Sequence, residues 1–153
     1  MKTAYVLIGA PGSGKSTWAR ENASRLDAVV VGSDDVRNDF SVSGENPLDG
    51  DAVFAEVERR ARDLLTAGRS VILDATHHRR RYRTYAIDLA RDLDARRVAI
   101  WFDVPLAECL RRNARRTGRT FGSETVPARV VRELFEHLQP PRPDEFDEII
   151  RIE

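Results

Sequence analysis

The sequence is poor in the features that mark secreted, disulfide-linked and membrane proteins. Cys109 is the one cysteine among 153 residues, so no internal disulfide can form, and such a chain is typical of a reducing compartment. The apolar run at residues 4–10 is too short for a signal-peptide core, and a glycine-rich segment interrupts it. We therefore expect a cytoplasmic protein with neither a targeting segment nor a membrane span.

An excess of charge of one sign is also missing. Lysine plus arginine and aspartate plus glutamate each total 25, so the formal net charge at pH 7 is zero. A neutral chain has no overall attraction for nucleic acid, and any such affinity must come from local patches. Lysine itself is rare, because the sequence contains only Lys2 and Lys15. This scarcity makes Lys15 conspicuous.

Short apolar runs alternate with segments of helical periodicity along the chain. The alternation predicts right-handed crossovers and a parallel sheet that is covered on both faces, which is a three-layer α/β sandwich. The length suits one domain with a core of its own, and we expect a single domain over residues 1–153. The five predicted strands lie near residues 4–9, 28–32, 70–74, 98–104 and 147–152.

The predicted helices follow these strands. Asp51 is expected to cap one of them and Gly68 to end it, after a turn-rich segment at residues 40–50 that predicts an exposed loop. Pro105 is expected to begin another helix. The remaining helices are predicted near residues 15–26, 79–93 and 126–138.

A phosphate-binding motif lies between the first predicted strand and helix. Residues 9–16, GAPGSGKS, match the pattern G-x-x-x-x-G-K-[ST], whose glycines let backbone N–H groups turn inward around phosphates. Lys15 is expected to reach the β- and γ-phosphates of ATP, and the Ser16 hydroxyl to bind Mg²⁺. The predicted ATP-binding residues of this segment are Gly9, Pro11, Gly12, Ser13, Gly14, Lys15, Ser16 and Thr17.

A carboxylate and a guanidinium follow the second predicted strand, in the segment SDDVR. Asp34 and Arg37 are three residues apart and therefore share a helix face, and they lie at the same end of the sheet as the glycine loop. We expect Asp34 to act as the general base and Arg37 to bind a phosphate of the acceptor. Asp35 is the alternative base. A simpler interpretation is a helix start capped by Ser33 or Asp34.

The third predicted strand also ends in a carboxylate, that of Asp74. This position indicates a second acid of the ATP site. Asp74 would orient a water bound to the Mg²⁺ that Ser16 binds, or it would pair with a lid arginine. Alternatively, Asp74 caps a helix that starts near Thr76, and both roles can hold together.

Five arginines cluster after the fourth predicted strand. On a helix that begins at Pro105, Arg112 and Arg116 are four residues apart and share one face, so they are expected to close over the ATP phosphates as part of a lid at about residues 107–125. A solvated basic face is the usual alternative for such a run. The cluster consists of Arg111, Arg112, Arg115, Arg116 and Arg119.

These segments together resemble a known family. GAPGSGKSTWARE at residues 9–21, DDVR at 34–37, FDVP at 102–105 and RRNARR at 111–116 are similar to the kinase domain of the polynucleotide 5′-hydroxyl kinases of T-even phages and their bacterial relatives. The resemblance implies the fold of small P-loop kinases, ATP as donor, Asp34 as base, Arg37 on the substrate phosphate and lid arginines at 112 and 116. Transfer of the γ-phosphate to 5′-OH ends of DNA or RNA is then expected.

Other features leave the acceptor open. His77 and His78 lack the spacing of a metal pair, and the segment HHRRRYR at 77–83 is expected to be helix surface. Tyr82 can stack on a base, although a half-buried core tyrosine is the favoured interpretation. His77 stands where the related kinases often have asparagine, and residues 117–125 form a longer stretch than in the phage enzymes. A kinase for a sugar, nucleoside or antibiotic, and a nucleotide-dependent binding module, are the rival hypotheses.

Overall fold

Strands and helices alternate throughout the part of the chain that the computed structural model describes, residues 1–41 and 48–153. The predicted loop at residues 40–50 falls in part on residues 42–47, which lie outside the described residues. The strands are β1 Thr3–Ile8, β2 Ala28–Gly32, β3 Ser70–Asp74, β4 Arg96–Phe102 and β5 Glu148–Ile152. The helices are α1 Lys15–Asn22, α2 Ser33–Asp39, α3 Gly50–Thr66, α4 Arg80–Asp92, α5 Leu106–Ala114 and α6 Ala128–Glu136.

All strand pairs are parallel, and the strand order is β2-β3-β1-β4-β5. β1 and β3 are neighbours, so the phosphate-binding loop after β1 lies beside the end of β3. β2 pairs with β3 so that Gly32 lies opposite Asp74, which brings the start of α2 to the same edge. The predicted five-stranded parallel sheet is confirmed, and three of its strands deliver their carboxyl ends to one place.

Two apolar clusters cover the two faces of the sheet. Alternating side chains of β1 divide between them: Val6 and Ile8 belong to one cluster and Leu7 to the other. The first cluster is completed by α3 and α4, and the second by α1, α5 and α6. Each fully buried aliphatic side chain contributes about 1.5–3 kcal/mol to folding. The sheet is therefore the middle layer of a three-layer sandwich.

Several local boundaries differ from the sequence-based expectations. Asp49, not Asp51, caps α3, because its carboxylate accepts a hydrogen bond of 2.8 Å from the backbone N–H of Ala52. α3 ends at Thr66, and Gly68 follows in the left-handed conformation that a helix end favours. Within the described ranges, no helix is both long and apolar enough to cross a bilayer.

Candidate active site

The loop between β1 and α1 turns on glycines that no other residue can replace. Gly12 has φ +84°, and a Cβ added there would lie 2.3 Å from the carbonyl oxygen of Cys109 on α5. Gly14 has φ +101° and precedes α1 directly. These positive φ angles turn the backbone N–H groups inward, and α1 contributes the positive end of its dipole. The local geometry is that of an anion-binding loop.

Lys15 lies inside this loop. Its Nζ donates to the carbonyl oxygens of Gly9 (2.8 Å) and Ala10 (3.0 Å). Burial lowers the pKa of the Lys15 ammonium to about 8, although the carboxylate of Asp74 opposes this shift. The buried hydroxyl of Ser13 in the same loop has no hydrogen-bond partner in the described part of the chain. A buried cation and an unpaired donor are both suited to an anionic ligand.

Ser16 and Asp74 are in direct contact across the end of the sheet. The Ser16 hydroxyl donates to Oδ2 of Asp74 at 2.8 Å. A hydroxyl and a carboxylate beside a phosphate-binding loop are oxygen ligands of the kind that Mg²⁺ prefers when phosphates complete its coordination. The alternative role of Asp74 as a helix cap is wrong, because α4 begins only at Arg80 and is preceded by Arg79.

Asp34 and Arg37 line the same cavity as Lys15 and form an ion pair. Nη1 of Arg37 lies 3.1 Å from Oδ1 of Asp34, one turn apart on α2. Asp35 does not line this cavity but lies beside Gly32. Desolvation, and then the carboxylates of Asp74 and Asp34, raise the pKa of Asp35. Of the two acids, only Asp34 lines this cavity, and both line a neighbouring one of about 340 Å³ together with Ser16 and Asp74.

The cavity has a volume of about 480 Å³ and two chemically different ends. Next to the loop it is lined by Lys15, Ser16, Asp74 and Arg116, and Asp34, Arg37 and Glu124 add three more charged side chains to the lining. Elsewhere its lining is aromatic and aliphatic, from Phe54, His78, Tyr82, Val126, Val130 and Leu134. The volume falls within the range of small-molecule sites, and one chamber joins a phosphate-binding region to an apolar region.

The arginine segment contacts the loop, but it is less helical than expected. Nη1 of Arg112 donates to the carbonyl oxygen of Ser13 at 3.2 Å. α5 ends at Ala114, so the expected shared helix face of Arg112 and Arg116 is wrong. The helix stops where the Asn113 side chain exchanges two hydrogen bonds with the backbone of Val126. Arg116 nevertheless lines the cavity from the segment after the helix.

Two residues of the phosphate loop occupy different positions. Pro11 lines the cavity, whereas Thr17 is exposed on α1 and is absent from the cavity lining among the described residues. Trp18 packs edge-on against Phe102, with the ring centroids 6.2 Å apart, and so belongs to the core.

His77 differs from its sequence-based interpretation, because it is 2% exposed and not on a helix surface. Its Nδ1 lies 2.7 Å from the carbonyl oxygen of Leu7, which can only accept, so this nitrogen carries the proton. Its Nε2 then accepts from the Tyr85 hydroxyl at 2.7 Å. Burial lowers the pKa of His77 to about 4. The neutral ring ties the segment after β3 to β1, just before the phosphate loop.

A loop from the lid region lies over Asp34, which the sequence pattern alone does not indicate. Gly122 has φ +87°, and a Cβ added there would lie 3.1 Å from a carboxylate oxygen of Asp34. The Asn38 side chain fixes this loop to α2 by accepting from the N–H of Phe121 (2.9 Å) and donating to its carbonyl oxygen (3.0 Å). The loop therefore packs against Asp34, whose side chain remains about half exposed.

Known proteins share both the sequence and the fold. The model of an AAA domain family matches residues 5–141. L-seryl-tRNA(Sec) kinase of Methanococcus maripaludis is 25% identical over 146 residues, which are 89% of this chain and 52% of that protein. Shikimate kinase of Corynebacterium glutamicum is 29% identical over 146 residues, covering 88% of this chain and 78% of the kinase.

Solved structures include a similar chain from the Pnkp1/Rnl/Hen1 RNA repair complex. It is 30% identical and superimposes with a TM-score of 0.76, over 90% of this chain and 44% of its own length. The present chain thus spans about half the length of this protein and of the seryl-tRNA(Sec) kinase.

Proposed function

The chain belongs to the AAA domain family and is a P-loop kinase, and we propose that its acceptor is the 5′-hydroxyl end of a DNA or RNA strand. The donor is ATP, used with Mg²⁺. Residues 1–153 then act as one kinase domain, in which residues 107–125 form the lid.

The composition of the cavity carries this proposal. A 5′-OH end of a polynucleotide offers a hydroxyl, a phosphate one nucleotide away and a flat base. The cavity offers a carboxylate at Asp34, a guanidinium at Arg37 and an aromatic surface at Tyr82. An unphosphorylated sugar offers a hydroxyl for Asp34, but it has neither a phosphate for Arg37 nor a flat ring for Tyr82.

On the donor side, the residues hold and neutralise phosphates. Backbone N–H groups of the loop would contact the β-phosphate, except those of Gly9 and Ser13, which donate to backbone carbonyl oxygens, and Lys15 would exchange its bonds to backbone carbonyls for phosphate oxygens. Ser16 and Asp74 would hold Mg²⁺, directly or through water, and the ion would neutralise the developing charge. Arg112, which contacts the loop, and Arg116, which lines the cavity, would contact the transferred group and the leaving phosphate.

On the acceptor side, Asp34 takes the proton of the 5′-hydroxyl. A bond forms between the 5′-oxygen and the γ-phosphorus as the bond from the γ-phosphorus to the β,γ-bridging oxygen breaks, and ADP leaves with that oxygen. Arg37 holds Asp34 in the absence of substrate and would transfer its guanidinium to the acceptor phosphate. This exchange frees the carboxylate when the acceptor is present.

The relatives support an acceptor that contains a nucleotide. One similar chain comes from an RNA repair complex, and the name of another relative refers to an aminoacylated tRNA. The experiment that tests the proposal is the transfer of labelled γ-phosphate from ATP to a short 5′-OH oligonucleotide, with the same oligonucleotide bearing a 5′-phosphate as control. Protein that binds ATP but labels neither DNA nor RNA with a 5′-OH end would refute it.

A small-molecule alcohol is the second candidate acceptor. The Gly122 loop packs against Asp34, and the cavity volume suits a monomeric ligand. The similarity to shikimate kinase also covers most of both chains. Incubation with ATP and a mixture of metabolites would yield a phosphorylated small molecule, and oligonucleotides would not compete for its formation, if this candidate is correct.

A further inference from the structure

Tyr82 lies at the mouth of the cavity and is not a core residue. Its residue surface is 40% exposed, although it stands in the first turn of α4. The ring of His78 lies 4.9 Å from the Tyr82 ring, centroid to centroid, at an angle of 38°. The guanidinium of Arg81 lies 4.7 Å from the centroid of the same ring, and its Nη2 donates to the Tyr82 hydroxyl at 2.7 Å. Three flat groups therefore lie together at the surface.

The backbone beneath this stack is held in place by buried hydrogen bonds. The carbonyl oxygen of His78 accepts from the N–H of Gln139 at 2.6 Å, and the N–H of Arg80 donates to Oε1 of Gln139 at 2.9 Å. Arg83, fully buried, donates to the carbonyl oxygen of His77 at 3.0 Å and forms a two-bonded ion pair with Glu145. Little ordering entropy remains to be lost when a ligand stacks on such a preformed surface.

Aliphatic side chains line the same cavity from other elements. Val130 and Leu134 come from one face of α6, and Val126 comes from the segment before it. They offer no hydrogen bonds, and neither does the face of an aromatic ring. A flat, apolar group with polar edges can lie between such walls while its edges remain in water, and a nucleobase is a group of this kind.

We propose that Tyr82 and His78, with the aliphatic wall of Val130 and Leu134, form a slot for the nucleobase of the acceptor's terminal nucleotide. The inference rests on the proposed function and specifies its substrate. Because every base has a stacking face, the slot accepts all four bases without sequence preference. The slot positions the nucleotide so that its 5′-oxygen reaches Asp34, and Arg37 binds the next phosphate.

The test compares a 5′-OH oligonucleotide with the same oligonucleotide that has an abasic site at its first nucleotide. For the unmodified protein, the KM for the abasic acceptor should be about tenfold higher, as expected for the loss of one stacked base. In Tyr82→Ala the ratio of the two KM values should fall to about one. Tyr82→Phe should restore the ratio, and Phe40→Ala, which removes an exposed aromatic side chain outside the cavity lining, should not change it.

The KM for ATP serves as the check that each variant is folded. If Tyr82→Ala is not folded, Tyr82→Leu replaces it, because leucine keeps apolar volume but has no ring. An unchanged ratio of the two KM values in a folded variant without the ring would overturn the slot. Equal KM values for the intact and the abasic oligonucleotide in the unmodified protein would also refute the slot.

A binding measurement separates this inference from the proposed function. Fluorescence of 2-aminopurine is quenched by stacking, so a 5′-terminal 2-aminopurine should be quenched by the unmodified protein and much less by Tyr82→Ala. If no oligonucleotide is phosphorylated and only the free 2-aminopurine nucleoside 3′-phosphate is quenched in a Tyr82-dependent way, the slot stands and its ligand is a free nucleotide. If neither probe is quenched, the slot is refuted whatever the result of the transfer assay.

Discussion

At the phosphate end of the cavity, one contiguous loop is joined by Asp74 and Arg116, whereas at the acceptor end the side chains come from α2, α3, α4, α6 and the Gly122 loop. The first end is organised by the backbone of the loop and the Lys15 ammonium, and a Cβ at Gly12 would clash with the carbonyl oxygen of Cys109. The second end combines a carboxylate, a guanidinium, aromatic rings and aliphatic groups. A phosphate site that is shared by many kinases can thus be kept constant while the acceptor end changes with the substrate.

The largest effect is expected at the phosphate end, from Lys15→Ala. The loop N–H groups are dipoles and cannot replace a full charge, so phosphate transfer should fall by at least about 10³-fold. Lys2→Ala is the matched control, because Lys2 is the other lysine of the chain and lies outside the cavity lining. The measurement is kcat/KM for ATP at saturating acceptor. Similar losses of kcat/KM in Lys15→Ala and Lys2→Ala would refute the assignment of Lys15 to the phosphates of ATP.

The next effect distinguishes the two neighbouring acids of α2. Asp34→Ala should lower kcat by about 10²–10⁴-fold, the usual contribution of a general base, because only Asp34 lines the cavity. Asp35→Ala should leave substantial activity. Single-turnover transfer measures both variants under the same conditions. An inactive Asp35→Ala together with an active Asp34→Ala would show that Asp35, and not Asp34, is the base.

The Arg37→Ala substitution should weaken only the binding of the acceptor. Losing a charge-assisted hydrogen bond should raise the KM for the acceptor by about 10- to 100-fold and leave ATP affinity unchanged. Arg62→Ala, an arginine that pairs with Glu58 on the exposed side of α3, controls for the loss of one positive charge. A loss of ATP affinity in Arg37→Ala would show that this guanidinium binds ATP and not the acceptor.

The pH dependence of ATP affinity should report on Lys15. Its pKa of about 8 in the free protein means that half of the Lys15 ammonium groups have lost their proton at about pH 8, and bound phosphates favour the protonated form. ATP affinity should therefore be constant from pH 6 to 7 and fall up to about tenfold between pH 8 and 9, with proton uptake on binding. Calorimetry in buffers of different ionisation enthalpy measures both. Lys15→Arg should remove the pH dependence, and its persistence there would exclude Lys15 as the cause.

The smallest effect concerns the loop over Asp34. Gly122→Ala and Gly68→Ala both place a Cβ at positive φ, so each should lower the stability by about 1 kcal/mol. An added Cβ at position 122 meets Asp34, whereas at position 68 it meets nothing within 4 Å. Thermal unfolding should therefore shift alike in both variants, and kcat/KM should fall several-fold only in Gly122→Ala. Equal activities would mean that the loop moves away from Asp34 during the reaction.

The difference between the phosphate end and the acceptor end of the cavity explains which features could be predicted from the sequence. The alternation of strands and helices in an α/β fold and the phosphate loop follow from local patterns: apolar runs, periodicity and one contiguous motif. Asp34, Arg37 and Asp74 could be placed near the loop because the ends of parallel strands meet at one edge. These are inferences about backbone position, and the cavity lining agrees with them.

Side-chain environments at the acceptor end could not be predicted in this way. His77 is buried and Tyr82 is exposed, the reverse of their expected positions, because the buried Arg83–Glu145 pair and Gln139 hold this segment from a distant part of the chain. The end of α5 depends on bonds between Asn113 and Val126. Contacts between residues so far apart in sequence leave no periodic pattern, and only tertiary structure reveals them.

The most direct measurement of the central claim is a crystal structure with a non-hydrolysable ATP analogue, Mg²⁺ and a short 5′-OH oligonucleotide. The account predicts that the terminal 5′-oxygen lies about 2.6–3.2 Å from the Asp34 carboxylate, a hydrogen-bond distance, and that Arg37 binds the adjacent phosphate. A 5′-oxygen that is held instead by Asp35, or an oligonucleotide whose end remains outside the cavity, would contradict it.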